Sequence, residues 1–297
     1  MKKTISIIFA GCSLFSYAQL PNTDVWLLDI KEKNGVFIFT NPVNATNREG
    51  YDNQPEFSPD SKYILYSSVH EDKQADIYKY DIASKTVSRV TNSPESEYSP
   101  TFMPGGKRIS SVLVEKDSAQ RLWCFSLDGK DPQLVTSNVD SVGYHCWINK
   151  DSVVLFILTN PFTLQSVNIK EQRPVIIASN IGRSIHEQKE SVLFTQEDRV
   201  PPSALAVGQD SVKRWVCSVD GKGKISRLVV CPKGSEDFAL LKDGTIMTAN
   251  INKLLKFEPN KDKDWKEIAD LSSFGITKIT RIAISPDQKK IAVVDNK

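Results

Sequence analysis

With 297 residues, 38 basic and 36 acidic side chains and 40% hydrophobic content, the chain is long, nearly neutral and ordinary in composition. The length exceeds one ordinary layered core but suits a closed array of repeats. The charge balance gives no general electrostatic reason to bind nucleic acid or anionic membrane, and no run is apolar over a bilayer-spanning length.

The first element is a leader. Lys2-Lys3 precede an apolar stretch from Ile5 to Phe15, and Ser16-Tyr17-Ala18 places small residues where a signal peptidase reads. This predicts a signal peptide over 1–18, cleavage before Gln19, and a periplasmic or secreted protein. The alternative is lipidation of Cys12 after Phe9-Ala10-Gly11, which Phe9 and the short apolar run before it fit poorly. Cleavage leaves acidic and basic residues in equal number and four cysteines, Cys124, Cys146, Cys217 and Cys231. An even count in an exported chain permits disulfides. Against that, Cys124 and Cys217 sit in strand patterns, where cysteine packs as a small hydrophobe. There is no Cys-x-x-Cys pair to hold zinc or run redox chemistry.

From Val25 onward two kinds of block alternate. An outer hairpin is marked by a bulky, a polar and an aliphatic residue or proline. Its copies are Leu28-Asp29-Ile30, Tyr80-Asp81-Ile82, Phe125-Ser126-Leu127, Val167-Asn168-Ile169, Cys217-Ser218-Val219 and Phe257-Glu258-Pro259. An inner block starts on an apolar or aromatic residue, makes a tight turn and continues as a strand. Its copies start at Phe57, Phe102, Trp147, His186, Leu240 and Ile284. Phe57, Phe102 and Trp147 are spaced at 45 residues, the kind of period that marks a repeat architecture. Each block occurs six times, but the chain opens with an outer hairpin and closes with an inner pair. The terminal strands are therefore expected to share one blade, which removes a free sheet edge. The predicted fold is all-β, a six-bladed β-propeller with four antiparallel strands per blade, forming a single domain over 19–297.

Phe57-Ser58-Pro59-Asp60 and Ile284-Ser285-Pro286-Asp287 resemble the Pro-Asp propeller repeat of TolB-type proteins. By architecture the resemblance covers the whole mature chain. It implies a propeller that works by binding.

No Gly-x-Ser-x-Gly elbow is present, which argues against a serine hydrolase. Gly221-Lys222-Gly223-Lys224 lacks the spacing of a phosphate loop and falls where a hairpin turn is due. Of three histidines, His145 and His186 fall near the starts of inner strands. Imidazoles there could bind metal or act as acid and base, although two without a third partner make a metal site weak. Packing or simple hydrogen bonding is the blander and favoured reading. The repeat register brings Gln54, Ser99, Tyr144, Arg183, Asp237 and Arg281 to one mouth of the channel. That set is almost wholly polar, as a solvated binding surface would be. The connection from Glu197 to Lys213 is the longest in the array.

These readings predict an exported, non-catalytic binding scaffold. Its site is Tyr144, His145, Arg183, Asp237 and Arg281, with no catalytic residue, metal or cofactor. Its partner is an envelope or secreted protein or a small anionic ligand, and the chain is a monomer without a membrane span. The alternative is a lyase or lactonase acting on a sugar or lactone at the same mouth, through His145, His186 and Arg183.

Overall fold

In the Ser58-Pro59-Asp60-Ser61 turn, the Ser61 amide donates to the Ser58 carbonyl at 2.8 Å, with Ser61 at φ 60. The Ser58 hydroxyl donates to Asp60 at 2.7 Å and accepts from the Lys62 and Tyr63 amides at 3.0 and 3.1 Å. Ser285 repeats the pattern with Asp287 and the Lys290 amide. In two other copies glycine takes the left-handed position, Gly106 at φ 67 and Gly244 at φ 97, and in the His186 copy Lys189 does so at φ 57.

The computed structural model describes residues 20–189, 191–199 and 212–297. The predicted leader, its expected cleavage site and Cys12 lie outside the described residues, as does 200–211 of the long connection. What is described is β apart from turns and one 3-10 turn at Ser272–Phe274.

The chain opens with β1 (Thr23–Lys33) and β2 (Val36–Asn44). A first group follows: β3 (Tyr51–Phe57), β4 (Tyr63–Val69), β5 (Ala75–Asp81) and β6 (Thr86–Arg89). The second is β7 (Ser96–Phe102), β8 (Arg108–Val114), β9 (Gln120–Ser126) and β10 (Gln133–Leu134). The third is β11 (Val142–Asn149), β12 (Ser152–Ile157), β13 (Thr163–Asn168) and β14 (Arg173–Ser179). The fourth is β15 (Ile181–Gln188), β16 (Ser191–Arg199), β17 (Val212–Asp220) and β18 (Ile225–Val230). The fifth is β19 (Phe238–Leu240), β20 (Ile246–Asn250), β21 (Lys253–Phe257) and β22 (Lys266–Asp270). The chain ends with β23 (Ile279–Ile284) and β24 (Lys290–Asn296).

Groups two to five are separate four-stranded antiparallel sheets. The first group and the terminal strands form one eight-stranded sheet, joined by a parallel bridge between Thr23 and Tyr51. In it β1 pairs with β24, Val25 opposite Val294 and Leu28 opposite Ile291. The first and last described strands of the chain thus pair with each other.

Among the described residues, six apolar clusters lie between successive groups. Leu65 and Ile77 meet Ile109 and Phe125, while Val112 and Leu122 meet Val153 and Leu155. Val154 and Phe156 meet Phe194 and Cys217, and Leu193 and Val216 meet Phe238 and Ile246. Met247 and Leu254 meet Leu28 and Ile291, and Val25 and Val294 meet Phe57 and Ile64. Alternation along each strand sends one residue to each neighbouring cluster. Cys124 and Cys217 are buried in these clusters, and all four described cysteines are free thiols. Burial pushes Cys146 and Cys231 up to about 12 and Cys217 to about 11, so they are unreactive. No helix among the described residues is long and apolar enough to cross a membrane.

Candidate binding site at the central cavity

The first strand of each group faces its counterparts. β3 lies against β7, β7 against β11, β11 against β15, β15 against β19, β19 against β23, and β23 against β3. These strands run through the positions that the sequence places at the strand starts. Gln54, Ser99, Tyr144, Arg183 and Arg281 lie inside them, and Asp237 immediately precedes one. The difference has a local cause. Pairing slips between Asn53 and Glu56, Tyr98 and Thr101, Val142 and Tyr144, Ile181 and Ile185, and Ile279 and Arg281. Such bulges re-aim a side chain. Gln54 and Ser99 take φ 59 and 55 there.

Tyr144, His145, Arg183, Asp237 and Arg281 all line one central cavity of about 120 Å³. Arg281 links Tyr144 and Asp237, and Arg183 stands beside them with partners of its own. Arg281 Nη2 donates to the Tyr144 hydroxyl at 2.6 Å, and its guanidinium lies 4.9 Å from the Tyr144 ring centre. Arg281 Nη1 stands 3.8 Å from Asp237 Oδ2, too far for a hydrogen bond. Arg183 Nη2 donates to the Thr280 carbonyl at 2.8 Å, and its Nε is 3.8 Å from Glu236. The Nε groups of both arginines are buried and make no hydrogen bond among the described residues. Burial opposes the charge on Arg281, but Tyr144, Asp237 and Tyr51 together outweigh it and hold the guanidinium above its ordinary pKa.

His145 shares the wall but belongs to a separate cluster. Its Nε2 lies 2.7 Å from Ser110 Oγ, which also accepts from Trp147 Nε1 at 2.9 Å. Burial pushes the imidazole down to about 3, so it is neutral at physiological pH. His186 is also lowered by burial. Its Nε2 lies 3.2 Å from Ser184 Oγ, which donates to Asp237 Oδ1 at 3.0 Å. His70 stacks on Tyr78 at 4.5 Å, outside the cavity. Among the described residues no group of three or more His, Cys, Asp or Glu could hold a metal ion.

Two participants escaped the sequence reading. Glu56 lines the same cavity, and burial raises its carboxyl to about 7. Its place two residues past Gln54 was the available signal, although the bulge between Asn53 and Glu56 breaks the alternation that would have read it. Tyr51 is raised by burial and lies within electrostatic reach of Arg281, Tyr144 and Arg183. The Gly221–Lys224 segment is a hairpin turn, with the Gly223 amide bonded to the Asp220 carbonyl at 2.9 Å. In the long connection the β16–β17 ladder extends to Arg199 opposite Val212.

Four-stranded sheets arranged around a polar cavity define a β-propeller. No family model matches the chain. The Tol-Pal system protein TolB of Francisella tularensis subsp. mediasiatica is 34% identical over 85 residues, 28% of this chain and 19% of that relative. The chain thus aligns with under a fifth of the curated relative's length. Putative TolB from Agrobacterium tumefaciens superposes with a TM-score of 0.67 at 13% identity, over 94% of this chain and 99% of that one. A gluconolactonase from Xanthomonas campestris superposes with a TM-score of 0.61 at 7% identity, over 91% and 95%. In fold, this chain is a TolB-like β-propeller.

Proposed function

We propose that this chain is an exported, non-catalytic propeller scaffold that captures a protein partner or small ligand through an anionic group at the central cavity. The observation that carries the reading is the pair of buried guanidinium Nε–H groups without acceptors in the cavity wall. A buried unsatisfied donor costs free energy, and a carboxylate is the partner that guanidinium geometry suits. In this reading the six groups are six blades of one closed domain over 19–297, released after loss of 1–18. Support for closure comes from the β1–β24 pairing and the cluster joining Val25 and Val294 to Phe57. The Tol-Pal name of the curated relative favours an envelope protein as partner.

The deciding experiment is a pull-down from envelope extract with the parent and Arg183→Ala, beside a turnover panel of uronates and lactones. The expected result is partner capture by the parent, loss of capture by Arg183→Ala, and no turnover. Arg183 is part-exposed, with one bond to a carbonyl, so its removal should lower the melting temperature by only a few degrees. If Arg183→Ala keeps every interaction, the cavity is not the site.

A second reading, a lyase or lactonase, rests on the His186–Ser184–Asp237 chain in the cavity wall. Turnover of a lactone or uronate that disappears in His186→Ala would replace the scaffold reading.

A further inference from the structure

A cavity of about 840 Å³ lies between the first and second groups, a size that suits a small molecule. It shares no lining residue with the central cavity. Leu113, Trp123 and Phe125 on β8 and β9 supply its apolar floor, and Val90 just past β6 faces them. Gly129 lets the two groups meet. It takes φ 76, and a Cβ there would stand 2.0 Å from the Val90 carbonyl oxygen, so only glycine allows the β9–β10 turn to lie against that backbone.

Trp123 differs from the other aromatic rings near the surface. Trp215 is covered by the Arg227 guanidinium at 5.2 Å, Trp265 leans on Phe257 at 5.8 Å, and Phe37 carries Lys256 at 5.4 Å. Among the described residues Trp123 has no such partner, and its half-buried ring lines the cavity. Its polar edge anchors it. Trp123 Nε1 donates to Glu115 Oε1 at 2.9 Å, and Arg121 Nη2 donates to Glu115 Oε2 at 2.9 Å. The β8–β9 turn that carries Glu115 is closed by the Glu115 amide on the Ala119 carbonyl and the Ser118 amide on the Glu115 carbonyl, both at 2.8 Å. A carboxylate can accept about four hydrogen bonds, so Glu115 keeps capacity for a ligand.

Charge decides the class of ligand. Glu95, Glu115, Asp117 and Asp128 line the cavity together with Lys116 and Lys130. Arg121 neutralises Glu115, and Lys130 pairs with Asp128 at 3.0 Å. The wall is therefore polar but close to balance, which gives an ion little advantage. A bare indole face among oriented polar groups suits a pyranose. The C–H groups of the sugar ring meet the negative face of the indole, and its hydroxyls exchange hydrogen bonds with the rim. We infer that this cavity binds a neutral sugar, with one pyranose ring on the face of Trp123 and a hydroxyl donating to Glu115. The inference does not rest on the anion reading of the central cavity.

The test is isothermal titration calorimetry of the full chain with cellobiose, maltose and N,N′-diacetylchitobiose, beside the acyclic polyol mannitol and the cationic peptide trilysine. At least one disaccharide should bind tenfold or more tightly than mannitol, and 0.5 M salt should leave that affinity within about twofold. Trp123→Ala should weaken it at least tenfold. If that variant does not fold, the indole N–H resonance of Trp123 decides: it should move on titration of the parent while that of Trp215 stays. No measurable heat with any of the three disaccharides, equal affinity for mannitol, or tighter binding of trilysine than of every disaccharide overturns the inference. So does unchanged binding in a folded Trp123→Ala, or a Trp123 resonance that does not move.

Discussion

Glu56 shows how one side chain acquires chemistry from its surroundings. Its counterparts two residues past Ser99, Arg183 and Arg281 are Thr101, Ile185 and Ala283, so its carboxyl stands in company that solvates charge poorly. Its pKa rises from an ordinary 4.5 to about 7 in the fold. The folded state then holds a proton that the unfolded chain releases. Its contribution to stability is full below the unfolded pKa and is lost as pH rises through about 7. The loss is on the order of 3 kcal/mol. Glu56→Gln, which stays neutral, should match the parent near pH 4.5 and exceed it in urea unfolding at pH 8. The same difference at both pH values would refute this. Register made Tyr144, Arg183, Asp237 and Arg281 legible, because repeat spacing aligns positions without knowledge of contacts. It could not foretell that His145 is held by Ser110, 35 residues away, or that Glu56 loses water. Those facts depend on which strands become neighbours.

At the level of elements, the Ser-Pro-Asp turns were the clearest text in the chain. Each is local, so residue identity alone specifies it. Ser58 is fully buried and its hydroxyl takes part in several bonds, including two to amides. Ser58→Ala leaves the Tyr63 amide without this acceptor and the Lys62 amide with only Asp60, and should cost about 1–3 kcal/mol, seen as an earlier midpoint in denaturant. Ser61→Ala at the left-handed position should matter less. If Ser58→Ala unfolds at the parental midpoint, the turn is not stabilised as described. The first strand of each group was harder to place. Tyr51-Asp52-Asn53-Gln54 and Ser96-Glu97-Tyr98-Ser99 are polar and broken by bulges, so period-two alternation fails just where the cavity needs it to.

For the molecule as a whole, the out-of-phase repeat was the informative signal, since it told where the two ends must meet. Removing residues 282–297 deletes Ile291, Ala292, Val293 and Val294, each fully buried, and the strand that pairs with β1. Losing that apolar burial costs roughly 5–10 kcal/mol, comparable with the whole stability of a domain. The truncated chain should show no cooperative thermal transition by circular dichroism. A melt within a few degrees of the parent would mean that the terminal strands are an ornament and not a clasp.

The bond from Arg281 to Tyr144 joins β23 to β11, three groups apart along the chain. It is a tie across the central cavity, and a tie fixes the distance between the strands it joins. An anion that claims the Arg281 guanidinium competes with the Tyr144 hydroxyl for it. Occupancy of the cavity therefore slackens this tie, and ligand binding should speed amide exchange in β11 and β23 even as it raises the overall melting temperature.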